Sequence, residues 1–466
     1  MELYFADWAA IGDGLTYGDP ELPRERRVKD GTPILVDGQM RPMEPWCSFL
    51  RLYSQNLSSN TVRSYARDAL TFARFLDNRG VAILDAVERD LSAYCDDRLS
   101  TGISTRTLDR QLVFVRAFFT YLFETGQREE LPWIRIASRS VVHREAPRTD
   151  LRIRSINRAQ WRAFRNVGLG GELPSGEIDP SFRGRSTVRN MCGAEVAITT
   201  GMRLREWQSL LDVEVEEGAS GAVVELHVAA KNSRRRNVYI PASTIKEIDL
   251  YRATERRQAV RSAQFTLRKN LHSLAVVREV DRAKRSLTYT VGGVERTYQL
   301  PSIPLAHRRI LVMQDESGLI EPMSLFLGRG GTPPTARRWQ QYFQTANSRV
   351  AQFHDYLTAM PAAITPHDLR HTFALVMLRS LQQQAANLER LRPVYRTGTI
   401  SEHVSHNPLL TLQRLLGHSS PSTTMVYLRY IDESHELVQR AFEEWSDENL
   451  DYASYVADEI LRTRDE

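Results

Sequence analysis

Two arginines, two histidines and one tyrosine lie in three short segments, and together they suit one kind of chemistry. The segments are Thr200-Gly201-Met202-Arg203-Leu204-Arg205-Glu206, then Thr365-Pro366-His367-Asp368-Leu369-Arg370-His371-Thr372-Phe373-Ala374, then Leu416-Gly417-His418 through Thr423-Thr424-Met425-Val426-Tyr427. A phosphodiester under displacement gathers charge on two non-bridging oxygens, and arginine offers them planar, permanently charged, bidentate donors. Histidine titrates near working pH, so it handles protons and hydrogen bonds. A tyrosine hydroxyl can attack phosphorus, but with a pKa near ~10 it needs a proton acceptor and a cationic site. One helical turn separates His367 from Arg370, so both can face one phosphate. Glu206 follows Arg203 by three residues, on the same helical face, and is expected to hold it in place. Singly, an arginine is more often a surface cation and a helical tyrosine more often core. The joint occurrence of three motifs in order changes that weighing.

These residues must be positioned by two kinds of domain. Residues 41–131 read as a small helical bundle. In Thr61–Arg79 the apolar set Val62, Tyr65, Ala66, Ala69, Phe72, Phe75 and Leu76 recurs at three and four, with Asn60 as cap and Gly80 as stop. Arg63, Arg67 and Arg74 form a stripe beside that apolar face. Ser104 can cap a second strong helix, with Leu108, Leu112, Val115, Phe119 and Leu122 inward and Gly126 ending it. Arg106 and Arg110 lie one turn apart on its outer side. Shorter helices are expected near 44–55 and 88–99. Residues 1–40 read as an arm without clear period, and 132–155 as a linker.

A larger domain, 156–432, begins where Asn157 can cap a helix through Phe164. Val223–Val228 and Asn237–Ile240 alternate, with the basic run Lys231-Asn232-Ser233-Arg234-Arg235-Arg236 at the tip of a hairpin. A second hairpin is expected at Leu287–Leu300 around Gly292-Gly293. Thr335–Asn347 reads as a helix with Arg337 and Arg338 near its start. The fold class expected is mostly α with a small β-sheet, α+β. An acidic tail, 433–466, carries Leu437, Val438, Phe442 and Trp445 at helical spacing.

The three catalytic segments resemble the tyrosine recombinase (phage integrase) family. The likeness extends over about 44–130 by helical pattern and 156–430 by motif. It implies an N-terminal core-binding, SAM-like domain and a C-terminal catalytic domain that close around duplex DNA as a clamp. It implies Tyr427, nine residues after His418, as nucleophile, with Tyr430 as rival. Arg203 and Arg370 would clamp the phosphate, His367 would accept the tyrosine proton, and His418 would donate to a phosphate oxygen. His371 is expected to be structural. Lys231 matches the family's hairpin lysine, which protonates the departing 5′-oxygen, although Ala230 and Asn232 replace the usual flanking glycines. Arg63, Arg67, Arg74, Arg106, Arg110, Arg337 and Arg338 are the expected DNA contacts. The implied reaction runs through a 3′-phosphotyrosyl link with no metal, cofactor or ATP. The implied partners are double-stranded DNA and three further copies, a homotetramer on synapsed DNA, with a monomer or weak oligomer when free. Residues 253–320 and 380–410 read as insertions.

Other classes are open. A type IB topoisomerase shares the catalytic set. A metallohydrolase could use His367 and His371 at i, i+4, although no third ligand stands out. A DNA-binding protein with a dead site is disfavoured because all six catalytic positions are filled. Net charge is +5, but residues 432–466 hold twelve acids and three arginines, a net −9, leaving +14 on the other 431 residues. A basic body suggests a polyanion partner. Three scattered cysteines, Cys47, Cys95 and Cys192, suggest neither a zinc module nor a disulfide framework. The start Met-Glu-Leu-Tyr-Phe-Ala-Asp-Trp has acids where a signal peptide carries bases, and no apolar run approaches a membrane span. A cytoplasmic protein is expected.

Overall fold

The computed structural model describes all residues except 7–27, 134–152, 217–220, 231–234, 358–359, 361–362, 391–406 and 431–466. The chain divides into two units, Met1–Asp150 and Leu151–Glu466.

In the first unit, strands β1 (Glu2–Phe5) and β2 (Pro33–Val36) pair antiparallel, with Leu3 opposite Leu35. They precede helices α1 (Trp46–Asn56), α2 (Ser59–Asn78), α3 (Glu88–Ser100) and α4 (Thr105–Glu124). The expected arm is therefore partly a two-stranded ribbon. Its alternation is only four residues long on each side, too short to register as a period. Leu3, Phe5 and Ile34 pack on the helical core. The cap of α2 is Ser58, not Asn60: the Ser58 hydroxyl accepts from the Thr61 amide, and Asn60 falls inside the first turn. Ser104 caps α4 as expected, accepting from the Thr107 amide. Aromatic rings fill the core, with Trp46 stacked on Phe118 at 4.2 Å between centroids and Phe49, Phe72, Phe114 and Phe119 buried around them. Rings of this size dominate core energetics.

The second unit starts with α5 (Arg158–Arg162), capped reciprocally by Asn157 and Gln160. The chain continues π-helical over Ala163–Gly170. Helix α6 (Thr187–Thr200) runs through the main core. A Cβ at Gly193 would lie 2.7 Å from the Trp339 ring, so this glycine lets two tryptophans, 207 and 339, approach α6. The one-turn helix α7 (Leu204–Trp207) follows. Strands β3 (Gly221–Leu226) and β4 (Arg236–Pro241) form an antiparallel hairpin. Helices α8 (Ala242–Tyr251) and α9 (Arg257–Lys269) come next.

Five strands then build a sheet in the order β7-β6-β5-β8-β9: β5 Ala275–Asp281, β6 Ser286–Val291, β7 Val294–Gln299, β8 Leu311–Gln314 and β9 Ile320–Pro322. Only β5 and β8 run parallel. The expected hairpin is β6–β7, turning on Gly292-Gly293, both at positive φ. The segment read as an insertion therefore holds most of a sheet with its own core, including Leu287, Tyr289 and Leu311. Helix α10 (Ala336–Gln352) is capped by Thr335. Helices α11 (Pro366–Arg390), α12 (Pro408–Leu416) and α13 (Pro421–Met425) close the described chain, followed by a 3-10 turn, Val426–Tyr430. The chain is thus mostly helical with small sheets. No described helix is long and apolar enough to cross a membrane.

Candidate active site

Backbone geometry at the end of α6 sets the first arginine. Gly201 stands at φ +63°, and a Cβ there would fall 2.3 Å from the Phe373 ring. That turn leaves Arg203 as the extended cap of α7. Glu206 reaches back: one carboxylate oxygen accepts from the Arg203 amide at 2.7 Å, the other from its guanidinium at 3.1 Å. Glu206 is 1 % exposed. The same two oxygens accept a bidentate fork from Arg236, at 3.0 and 2.6 Å. Burial drives the Glu206 pKa upward, but the Arg236 fork and the Arg203 amide outweigh it, and the group stays a carboxylate.

Arg370 sits on the first turns of α11 and is 1 % exposed. Its guanidinium donates to the Gly201 and Leu416 carbonyls, each at 2.6 Å. Burial first, and the neighbouring Arg203 charge second, lower its pKa to about 9, which leaves it cationic at neutral pH. The Leu416 carbonyl lies at the end of α12, so Arg370 fixes the turn that presents His418. Gly417 makes that turn at φ +63°. The His418 Nδ1 pairs with the Thr424 hydroxyl at 2.9 Å. Burial, then Arg370 and Arg203, push its pKa down to about 3, so the imidazole is neutral. In the tautomer whose Nδ1 accepts from the Thr424 hydroxyl, the proton is on Nε2, the nitrogen then left to donate.

Tyr427 is 3 % exposed and lies against Ile153, Phe373 and Leu416 in one apolar cluster. Its ring is parallel to that of His418 with centroids 6.2 Å apart. Burial raises the phenol's pKa, and Arg370 and Arg203 pull it back. The hydroxyl pairs with His371 Nδ1 at 2.9 Å. This departs from the expectation that His371 is structural. His367, one turn back, contacts the His371 ring edge-on at 4.2 Å and is not a hydrogen-bond partner of Tyr427. Both imidazoles are pushed toward neutrality, His367 by burial and Arg370, His371 to about 4 by burial and His367.

Arg203, Arg370, His367, His418, Tyr427 and Glu206 are thus brought together, while Lys231 lies outside the described residues. The side chain of Tyr430 is likewise not described. Two partners were missed in the sequence. Arg236 belongs by sequence to a basic run, yet it is in phase with the buried Val238 and Ile240 along β4. An arginine on the inward register of a strand signals a buried partner. Arg154, assigned to the linker, makes a bidentate pair with Asp368, at 3.1 and 3.0 Å.

The expected DNA-contact arginines divide. Arg110 forks onto the buried Asp68, one bond at 2.8 Å. Arg74 donates to the Met1 carbonyl at 2.7 Å, and Arg63 lies over the Phe5 ring. Arg67 and Arg106 are exposed and in no ion pair among the described residues. Arg337 and Arg338 are exposed at the start of α10, Arg338 touching Gln341 at 3.0 Å.

Residues 46–126 match the phage integrase, N-terminal SAM-like domain. Tyrosine recombinase XerD of Agrobacterium fabrum (strain C58 / ATCC 33970) is 26 % identical over 397 residues, covering 84 % of this chain and 92 % of that protein. Over most of its length the chain is similar to tyrosine recombinases. Tyrosine recombinase XerD of Rhizobium meliloti is 25 % identical over 396 residues, covering 84 % of this chain and 93 % of its own length. Among solved structures, the XerH site-specific recombinase bound to palindromic difH substrate, a post-cleavage complex, aligns with TM-score 0.49 and 15 % identity over 85 % of each chain. The Tn1549 transposon integrase with transposon right end DNA aligns with TM-score 0.48 and 14 % identity, covering 84 % of this chain and 99 % of that chain.

Proposed function

We propose that this chain is a site-specific DNA recombinase, cutting and rejoining strands through a 3′-phosphotyrosyl link at Tyr427. The observation that supports it most is one phenol, hydrogen-bonded to a neutral imidazole, within electrostatic reach of two buried or half-buried guanidinium groups. The Tyr427 oxygen bonds to the scissile phosphorus as the bond from phosphorus to the 5′-oxygen breaks in line. The phenolic proton passes to an imidazole, and His371 is the one already in contact. His367 lies behind it and can relay the charge. Arg203 and Arg370 neutralise the non-bridging oxygens, joined by His418 Nε2. Lys231 supplies the proton to the departing 5′-oxygen. A 5′-hydroxyl from a partner duplex reverses each step. The link conserves the phosphodiester energy, so ATP is not consumed.

Double-stranded DNA is the substrate, gripped through phosphates by the helical unit and by the catalytic unit. Exchange between two duplexes needs several active sites, hence four copies on synapsed DNA. The XerD relatives bear the name recombinase, which favours strand exchange over the nick-and-reseal activity of a type IB topoisomerase. The test is covalent capture on a nicked duplex selected from a randomised pool by the wild-type protein. Tyr430→Phe should be captured and Tyr427→Phe should not. Capture of Tyr427→Phe would overturn the nucleophile assignment, and relaxation of a site-free plasmid would favour the topoisomerase.

A further inference from the structure

Arg236 sits at a junction of three elements, and its geometry is that of an organiser of the cleavage centre. Its fork onto Glu206 is bidentate. Its Nε donates to the Leu415 carbonyl at 3.1 Å, one residue from the carbonyl that Arg370 holds. Its side chain is 7 % exposed and lies against Gly417, where an added Cβ would come within 2.9 Å of Arg236 Cδ. It also opens β4, so it anchors the strand that leaves the basic tip.

We infer that Arg236 is a positioning residue that sets the Arg203 guanidinium and the His418 turn for the same phosphate, an inference that rests on the recombinase reading above. The physical reason is competition for a carboxylate. Glu206 has two oxygens and two arginine claimants. The Arg236 fork uses both oxygens, which leaves Arg203 a single guanidinium bond and its outer face free for substrate. Without Arg236, the buried Glu206 charge has Arg203 as its remaining close partner. Arg203 would then turn inward to a full fork and lose its hold on the phosphate. At the same moment the Leu415 carbonyl would lose its donor, loosening the turn before His418. One guanidinium thus keeps a second one available and a histidine in place, without touching DNA.

The experiment measures single-turnover covalent capture at saturating nicked duplex, and duplex affinity separately, on the full chain. Arg236→Gln should slow capture by about 10- to 100-fold with affinity nearly unchanged. Arg236→Lys should stay slow, because an ammonium cannot make the planar fork and the carbonyl bond together. Guanidinium ion should restore part of the rate to Arg236→Ala. The deciding variant is Arg236→Gln combined with Glu206→Gln. Removing the competing carboxylate should recover part of the rate, whereas a simple packing role predicts a further loss. The inference is overturned if Arg236→Gln captures at the wild-type rate, or if its loss follows duplex affinity or melting temperature and neither guanidinium nor Glu206→Gln offsets it. If the wild-type protein itself captures no duplex, it is the recombinase reading that fails.

Discussion

At the scale of single residues, the site is a cluster of groups whose charges are set by burial. His418 and His371 are held near 3 and 4, below the ordinary imidazole range, first by desolvation and then by neighbouring cations or imidazole. The unfolded chain protonates these imidazoles below pH ~6.5 while the folded chain does not, so stability is present above that pH and falls as pH drops toward 4. Each group should remove about 1–2 kcal/mol between pH 7 and 5. Denaturant midpoints at the two pH values check this, and His371→Gln should flatten the dependence. A stability unchanged over that range would contradict the neutral, buried imidazoles. The arginines of the helical unit separate in the same way. Arg110→Ala strands the buried Asp68 carboxylate and should cost about 1–2 kcal/mol, discounted because Arg110 itself is half exposed. Arg67→Ala should leave stability alone and reduce the salt slope of DNA binding by about 0.9. Sequence could name Arg67 and Arg110 as equals, since both sit on polar helix faces. It could not show that Asp68, a residue on the same helix as Arg67, would be buried and would need one of them.

Elements decide which of these residues meet. Helix α11 carries His367, Arg370 and His371, and its first turn is fastened twice. Asp368 accepts from the Thr365 amide and hydroxyl, both at 2.8 Å, and pairs with Arg154. Two residues after Arg154, the Ile156 amide donates to Thr372 at 3.0 Å. The segment entering the second unit is therefore laced along α11. Asp368→Ala removes the cap and leaves Arg154 without its carboxylate. It should cost about 2 kcal/mol in thermal or denaturant unfolding and slow capture, because the turn holding His367 and Arg370 loosens. An unchanged melting curve would show that the lacing contributes nothing. These element contacts also explain what was legible. Helices α2 and α4 have long apolar periods and sharp stops, and β6–β7 has a two-glycine turn, so each is written locally. The parallel pairing of β5 with β8 joins strands separated by the whole β6–β7 hairpin and has no local turn signal. The motifs gave Arg203, His367, Arg370, His418 and Tyr427 because their spacing is chemical. Arg236 and Arg154 act through carboxylates on other elements, so strand register marks Arg236 as inward but no local pattern names either partner.

For the whole molecule, charge is distributed against the grain of a simple DNA-binding protein. A body of +14 ends in thirty-five residues of −9. An acidic segment tethered to a basic body competes with DNA phosphate for the same cations, at an effective concentration set by the tether. Its apolar residues Leu437, Val438, Phe442 and Trp445 recur at helical spacing in the sequence, and we propose a second capacity, to dock on a neighbouring copy. The two capacities make opposite predictions for a chain ending at Asp432. Removing the acids should tighten binding of a single duplex and steepen its salt dependence, because fewer cations are screened from within. Removing the apolar stripe should weaken assembly of two duplexes into one complex. Gel-shift affinity at several salt concentrations reads the first effect, and light scattering of protein with paired duplexes reads the second. Tighter single-duplex binding with lost pairing would assign the tail to coupling between protomers. Unchanged pairing would remove the docking role and leave the tail as an electrostatic brake on DNA binding, a role the charge difference supports by itself.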